Sequence, residues 1–154
     1  MHRTGNHVRN DGFREMIVVP FEPWHLDFIK PLWPVFTDKI ALERSSISFT
    51  AVDYGKPLAI AGIIPLWKGV AESYMIPSAL FPNHKIQCIK YIKLNQEFLR
   101  RELKLHRLQT TVPSDFSAAI RWLEWLGYER ESTLRQWGPD QKDHYRYVRF
   151  FDGC

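Results

Sequence analysis

Residues 111–128 read T-V-P-S-D-F-S-A-A-I-R-W-L-E-W-L-G-Y, a run that few architectures accommodate. Before it, residues 106–112 are rich in β-formers toward their C-terminal side and predict a strand. Pro113, Ser114 and Asp115 then offer a helix start, with side-chain oxygens able to accept from amides that lack an intrahelical acceptor. A helix over about 116–126 places Phe116, Ala119, Ile120, Leu123 and Leu126 on one face. Gly127 predicts its end, because a residue without Cβ takes left-handed backbone without steric penalty. Tyr128 opens a new extended segment, so the unit is β-α-β.

Upstream, residues 16–21 predict a first strand and 22–30 a short helix with Pro23 at its start and Pro31 ending it. A second helix is expected over 33–43. Residues 46–54 alternate, with Ile47, Phe49, Ala51 and Asp53 on one side. Gly55-Lys56 and Lys68-Gly69 are turn signals that bound strands at 58–67 and 70–76. Connections this short allow only antiparallel pairing, so these strands form a meander. The longest helix is expected over about 84–104, with Asn83 as N-cap and Ile86, Ile89, Ile92, Leu99 and Leu103 on one face. Near the C-terminus, 133–137 and 144–151 predict a hairpin-like strand pair around Gly138-Pro139-Asp140.

The chain of 154 residues suits one domain, expected over 16–154 behind a flexible polar arm at 1–15. A start at Met16 leaves that domain whole. No apolar run approaches the roughly 20 residues that span a bilayer. Cys88 and Cys154 lack a metal or redox spacing, which predicts reduced thiols and a cytoplasmic setting. His25, His84, His106 and His144 likewise lack zinc-ligand spacing, so no metal is expected. Net charge is +4, and seven Lys/Arg lie within residues 84–107. A solvated helix face accounts for them, and a phosphate-bearing or acidic partner is the competing reading. No nucleic-acid-binding motif accompanies the charge.

The element order β-α-α-β-β-β-α-β-α-β-β, with a helix ending Leu126-Gly127-Tyr128, resembles the GNAT superfamily of N-acetyltransferases over about 16–151. Trp125-Leu126-Gly127-Tyr128 and Gly138-Pro139-Asp140 are more narrowly similar to small GNAT-like proteins of tailed phages, including internal virion protein relatives. The resemblance implies an α/β (α+β) domain with a central mixed, mostly antiparallel sheet flanked by helices. It also implies acetyl-CoA as co-substrate, a protein or small-molecule amine as acceptor, and the host cytoplasm or a virion as location.

Onto matching positions it carries Glu72 as general base, with Tyr74, Met75 and Ile76 as the strand that clamps pantetheine. Desolvation on a half-apolar strand face would suit Glu72 to that task, while a solvent-facing strand carboxylate is the plainer reading. His84 and Lys85 would contact phosphates at a helix start, and Trp122 the cofactor. The family's glycine-rich phosphate loop is replaced by P-S-A-L-F-P-N-H-K over 77–85. The late-helix tyrosine that protonates the departing thiolate is replaced by Leu123. Tyr128, Tyr145 or Tyr147 would have to substitute, and Tyr145 is the candidate taken. Those two departures support a second reading, a catalytically silent GNAT fold serving as a binding or virion component with possible homo-oligomer contacts.

Overall fold

The computed structural model describes residues 16–29 and 47–151. Seven strands are described: β1 (Ile17–Pro20), β2 (Ile47–Asp53), β3 (Lys56–Trp67), β4 (Val70–Pro77), β5 (Arg107–Pro113), β6 (Glu129–Leu134) and β7 (His144–Phe150). They form one sheet in the order β1-β2-β3-β4-β5-β7-β6, antiparallel except where β4 meets β5. The described helices are α1 (His25–Phe28), α2 (Lys85–Glu102) and α3 (Ser117–Trp125), with a 3-10 turn at Phe81–Asn83. This is the mixed α+β architecture that the element order predicts. The helix expected at 33–43, the arm at 1–15 and Cys154 lie outside the described residues.

Short connections build the β2-β3-β4 meander. The first turn is Tyr54-Gly55, one residue earlier than Gly55-Lys56, because Lys56 already pairs with Asp53. Both turn residues take positive φ, +47° and +74°, which matches the twist of the flanking strands. The chain then crosses from β4 to α2 without the predicted Asn83 cap. Asn83 ends the 3-10 turn, and His84 is the first flanking residue, with no side-chain cap. Ile86, expected on the buried face, is 56% exposed, whereas Cys88, Ile89, Gln96 and Leu99 are buried.

Helix α3 starts after Phe116, again without a side-chain cap, because Asp115 pairs with Lys142 instead. Its end follows the prediction. The Gly127 amide bonds the Glu124 carbonyl and the Tyr128 amide the Leu123 carbonyl, while Gly127 holds φ +91°. That closure, a Schellman motif, satisfies the last carbonyls and aims Tyr128 back into the core. The strand that follows begins at Glu129 and ends at Leu134, earlier than the 133–137 expected.

The face of the sheet under α2 and α3 carries the larger core, including Ile63, Ala71, Leu108, Val112 and Tyr147 with Ile89, Leu99 and Leu126. The opposite face buries Ile60 and Ile76 against Ile29. There α1 is tied down by His25, whose Nδ1 lies 2.8 Å from Thr50 Oγ1 and accepts from the Glu22 amide. Burial holds the His25 ring below its ordinary pKa, against the opposing pull of Glu22.

Two buried groups make stability depend on alkaline pH. Burial pushes the Cys88 thiol from 9.0 up to about 11. Burial likewise pushes the Tyr128 phenol from 10.0 up to about 12, outweighing the hydrogen bonds from Ser73 and Gln96 and the charge of Arg149. Both folded values lie above the unfolded ones, so the native chain keeps these protons longer. Their contribution is full below the unfolded values and is lost as pH rises through 9 toward 12. Thermal melts at pH 8, 10 and 11 are expected to show a Tm that falls across this window, and a constant Tm would contradict the assignment.

Candidate active site

The central feature is a fork between β4 and β5. Parallel pairing joins Val70 to Arg107, Ala71 to Leu108 and Glu72 to Gln109, and then stops. Beyond that rung, among the described residues, β4 pairs only with β3 and β5 only with β7. Two strand edges therefore face each other across a gap, and their amides and carbonyls are available to an extended polar chain laid between them. At the base of the fork, the Tyr128 hydroxyl lies 2.8 Å from Ser73 Oγ and accepts from Gln96 Nε2 at 3.0 Å.

The gap opens into a cavity of about 460 Å³. Strand alternation places Ser73 and Met75 on the α2 face of β4, and Glu72, Tyr74 and Ile76 on the other. All five line this cavity, so it passes through the sheet. On the α1 face Glu72 is half-buried, and its carboxylate accepts from Gln109 Nε2 at 3.4 Å. Gln109 in turn accepts from Arg107, whose guanidinium is committed to Glu131 at 2.8 Å. The hydrogen bond and charge of Arg107 hold Glu131 below its usual pKa. Thus, among the described residues, Glu72 receives an amide hydrogen bond and no direct cation. Asp140 and His144, from the β6–β7 loop and the start of β7, complete that side of the cavity.

A second cavity of about 440 Å³ lies outside the first, between the start of α2 and α3. Lys85 and Arg121 bring positive charge to its walls. Met75, Ala119 and Trp122 line both cavities, and Trp122 meets Phe81 with ring centroids 4.9 Å apart at the partition. The Trp122 indole Nε1 is buried and has no hydrogen-bond partner among the described residues. A buried donor without a partner is costly, which makes it a position where a ligand carbonyl would be stabilised.

Of the residues singled out in the sequence, Glu72, Tyr74, Met75, Ile76 and Trp122 meet at the fork, and Lys85 lines the outer cavity. The Tyr74 hydroxyl is hydrogen-bonded to Ser48, so its backbone and ring wall, not its hydroxyl, face the gap. Two others are placed elsewhere. His84 turns inward, its Nε2 3.3 Å from Asp53 Oδ2, with both side chains 9% exposed. Tyr145 lies outside the cavity lining, its ring 4.5 Å from the Arg130 guanidinium. Ser73, Gln96, Asp140 and Arg121 also line these cavities, and no sequence motif marks them as site residues. Only alternation along β4 offered a signal for Ser73, and the others depend on tertiary packing.

A mixed sheet forked between its two parallel strands, with a helix starting beside the fork, is the GNAT fold. No family model and no curated protein matches the sequence. Solved structures do match. The acetyltransferase of GNAT family from Streptococcus pneumoniae is 18% identical, with TM-score 0.71 over 89% of this chain and 100% of that one. The ribosomal-protein-S5-alanine acetyltransferase from Vibrio fischeri is 12% identical, with TM-score 0.72 over 91% and 95% of the two chains. The NatC complex bound to Gag peptide and CoA gives TM-score 0.74 at 12% identity, over 90% and 99%. At these identities the likeness establishes the fold.

Proposed function

We propose that this protein is an acyl-CoA-dependent N-acyltransferase acting on a primary amine. The through-sheet fork carries the reading, since it lets a thioester approach from the α2 face and an amine from the α1 face. The pantetheine arm fits between the unpaired edges of β4 and β5, with Trp122 Nε1 as an additional donor. The pyrophosphate fits beside Lys85 and Arg121, where the first-turn amides of α2 lack intrahelical acceptors. These groups offer charge where the family's glycine loop offers a backbone cradle. His84, held by Asp53, is left out of the assignment.

When bound, the cofactor supplies an activated acyl group. Glu72 takes a proton from the bound ammonium so that the neutral amine attacks the thioester carbonyl, and the α1-side carboxylates Glu72 and Asp140 favour a cationic acceptor. Backbone N–H groups on the open edge of β4 stabilise negative charge on the acyl oxygen. Tyr128 replaces Tyr145 as proton donor to the departing sulfur, because its hydroxyl stands at the fork beside Ser73. The similarity of residues 125–128 and 138–140 to phage-encoded relatives supports a phage source.

Thermal shift with coenzyme A tests the cofactor assignment. A ligand at about 100 times its Kd stabilises the native state by about 2.7 kcal/mol, so saturable stabilisation is expected. Flat melting curves at millimolar coenzyme A would overturn the enzyme reading and leave a non-catalytic binding or virion role.

A further inference from the structure

We propose that the acyl chain carried by this thioester is longer than acetyl and lies in a lobe of the main cavity beneath α2. The inference rests on reading the fork as a coenzyme A thioester site. The lobe follows from two cross-strand rows on the α2 face. Register pairs Val18 with Ala51 and Ala51 with Ala59 in one row, and Phe49 with Ala61 and Ala61 with Met75 in the next. Three adjacent alanines thus floor the space roofed by Cys88, Tyr91 and Ile92 of α2.

A helix packed on a sheet normally fills the intervening layer with large side chains, and interiors leave few voids. Here Ala59 packs against Cys88 and Phe81, with Ala51 at the edge of that cluster, and the small side chains of Ala51 and Ala61 leave the cavity open above them. Ala51 and Ala61 stay only half-buried although they lie on the helix-covered face, because the cavity reaches them. A hollow that no described residue fills forfeits dispersion contacts that a flexible hydrocarbon chain would restore. Met75 belongs both to the second row and to the fork, so the hollow is continuous with the position assigned to the thioester. An acetyl methyl fills only the fork. A straight chain of several methylenes extends from it over Ala61 toward Ala51.

Calorimetric titration of the full chain with acetyl-, butanoyl-, hexanoyl- and octanoyl-CoA tests this. Each added methylene is expected to tighten Kd about fourfold until the lobe is full. In Ala51→Leu, which fills the far end of the lobe, the gain beyond butanoyl disappears while acetyl-CoA affinity stays within about twofold. The wild-type series decides the matter alone if that variant does not fold. Equal or weaker binding of the longer thioesters overturns the lobe while leaving the acyltransferase reading intact. Chain-length independence, with affinity for peptide amines following their apolar side chain, assigns the lobe to the acceptor and also overturns it. Failure of every thioester to bind removes both proposals.

Discussion

Glu72→Gln is expected to lower turnover with an amine acceptor by about 10²–10³-fold, while coenzyme A binding stays within about threefold. The substitution keeps the side chain's length and its capacity to accept from Gln109. What it removes is the ability to take a proton. Geometry makes the separation of effects sharp, because Glu72 lies on the α1 side of β4 and the cofactor groups lie on the α2 side and at the outer cavity. The surrounding charges support the choice of this carboxylate. Arg107, the nearest cation in its hydrogen-bond chain, is bidentate to Glu131, so Glu72 is not locked in an ion pair. Steady-state kinetics beside calorimetry checks the prediction. A loss under about fivefold would move the base elsewhere, with His144 on the same wall next to be tested.

Much of this arrangement is readable in the residues because local chemistry fixes it. Two tight turns impose the β2-β3-β4 meander, and Gly127 with its neighbours imposes the end of α3. The start of α2 was less legible. Asn83 is a good cap by type, but the buried contact of His84 with Asp53 fixes where the helix begins, and that contact joins residues 31 positions apart. The fork itself carries no local signal. Nothing in 70–77 or 107–113 says that pairing stops after three rungs, since both segments are ordinary β-formers. Tyr145 illustrates the same limit. A strand alternates faces, so whether His144 or Tyr145 meets the cavity depends on the register of β7 against β5, which a shift of one residue inverts. Tyr128 was within reach as an alternative, and its position one residue after the helix-closing glycine is what turns it inward.

Leu108→Ala is expected to cost about 3 kcal/mol and Val112→Ala about 1 kcal/mol, a difference that measures the fork in solution. Both side chains belong to the same core cluster, at 1% and 4% exposure, and both project from the same face of β5. Leu108 sits opposite Ala71 on the paired section, where truncation leaves a hole enclosed on every side. Val112 lies beyond the last rung and already forms part of the cavity wall, so removing its methyl groups enlarges an existing space and exposes little that was enclosed. For a domain of this size the larger loss corresponds to a Tm lower by about 6–12 °C, and urea unfolding gives both values directly. A Val112→Ala cost as large as that of Leu108→Ala would mean that β4 and β5 close together along their whole length. The thioester would then have no path through the sheet, and Glu72 and Trp122 would have no common ligand.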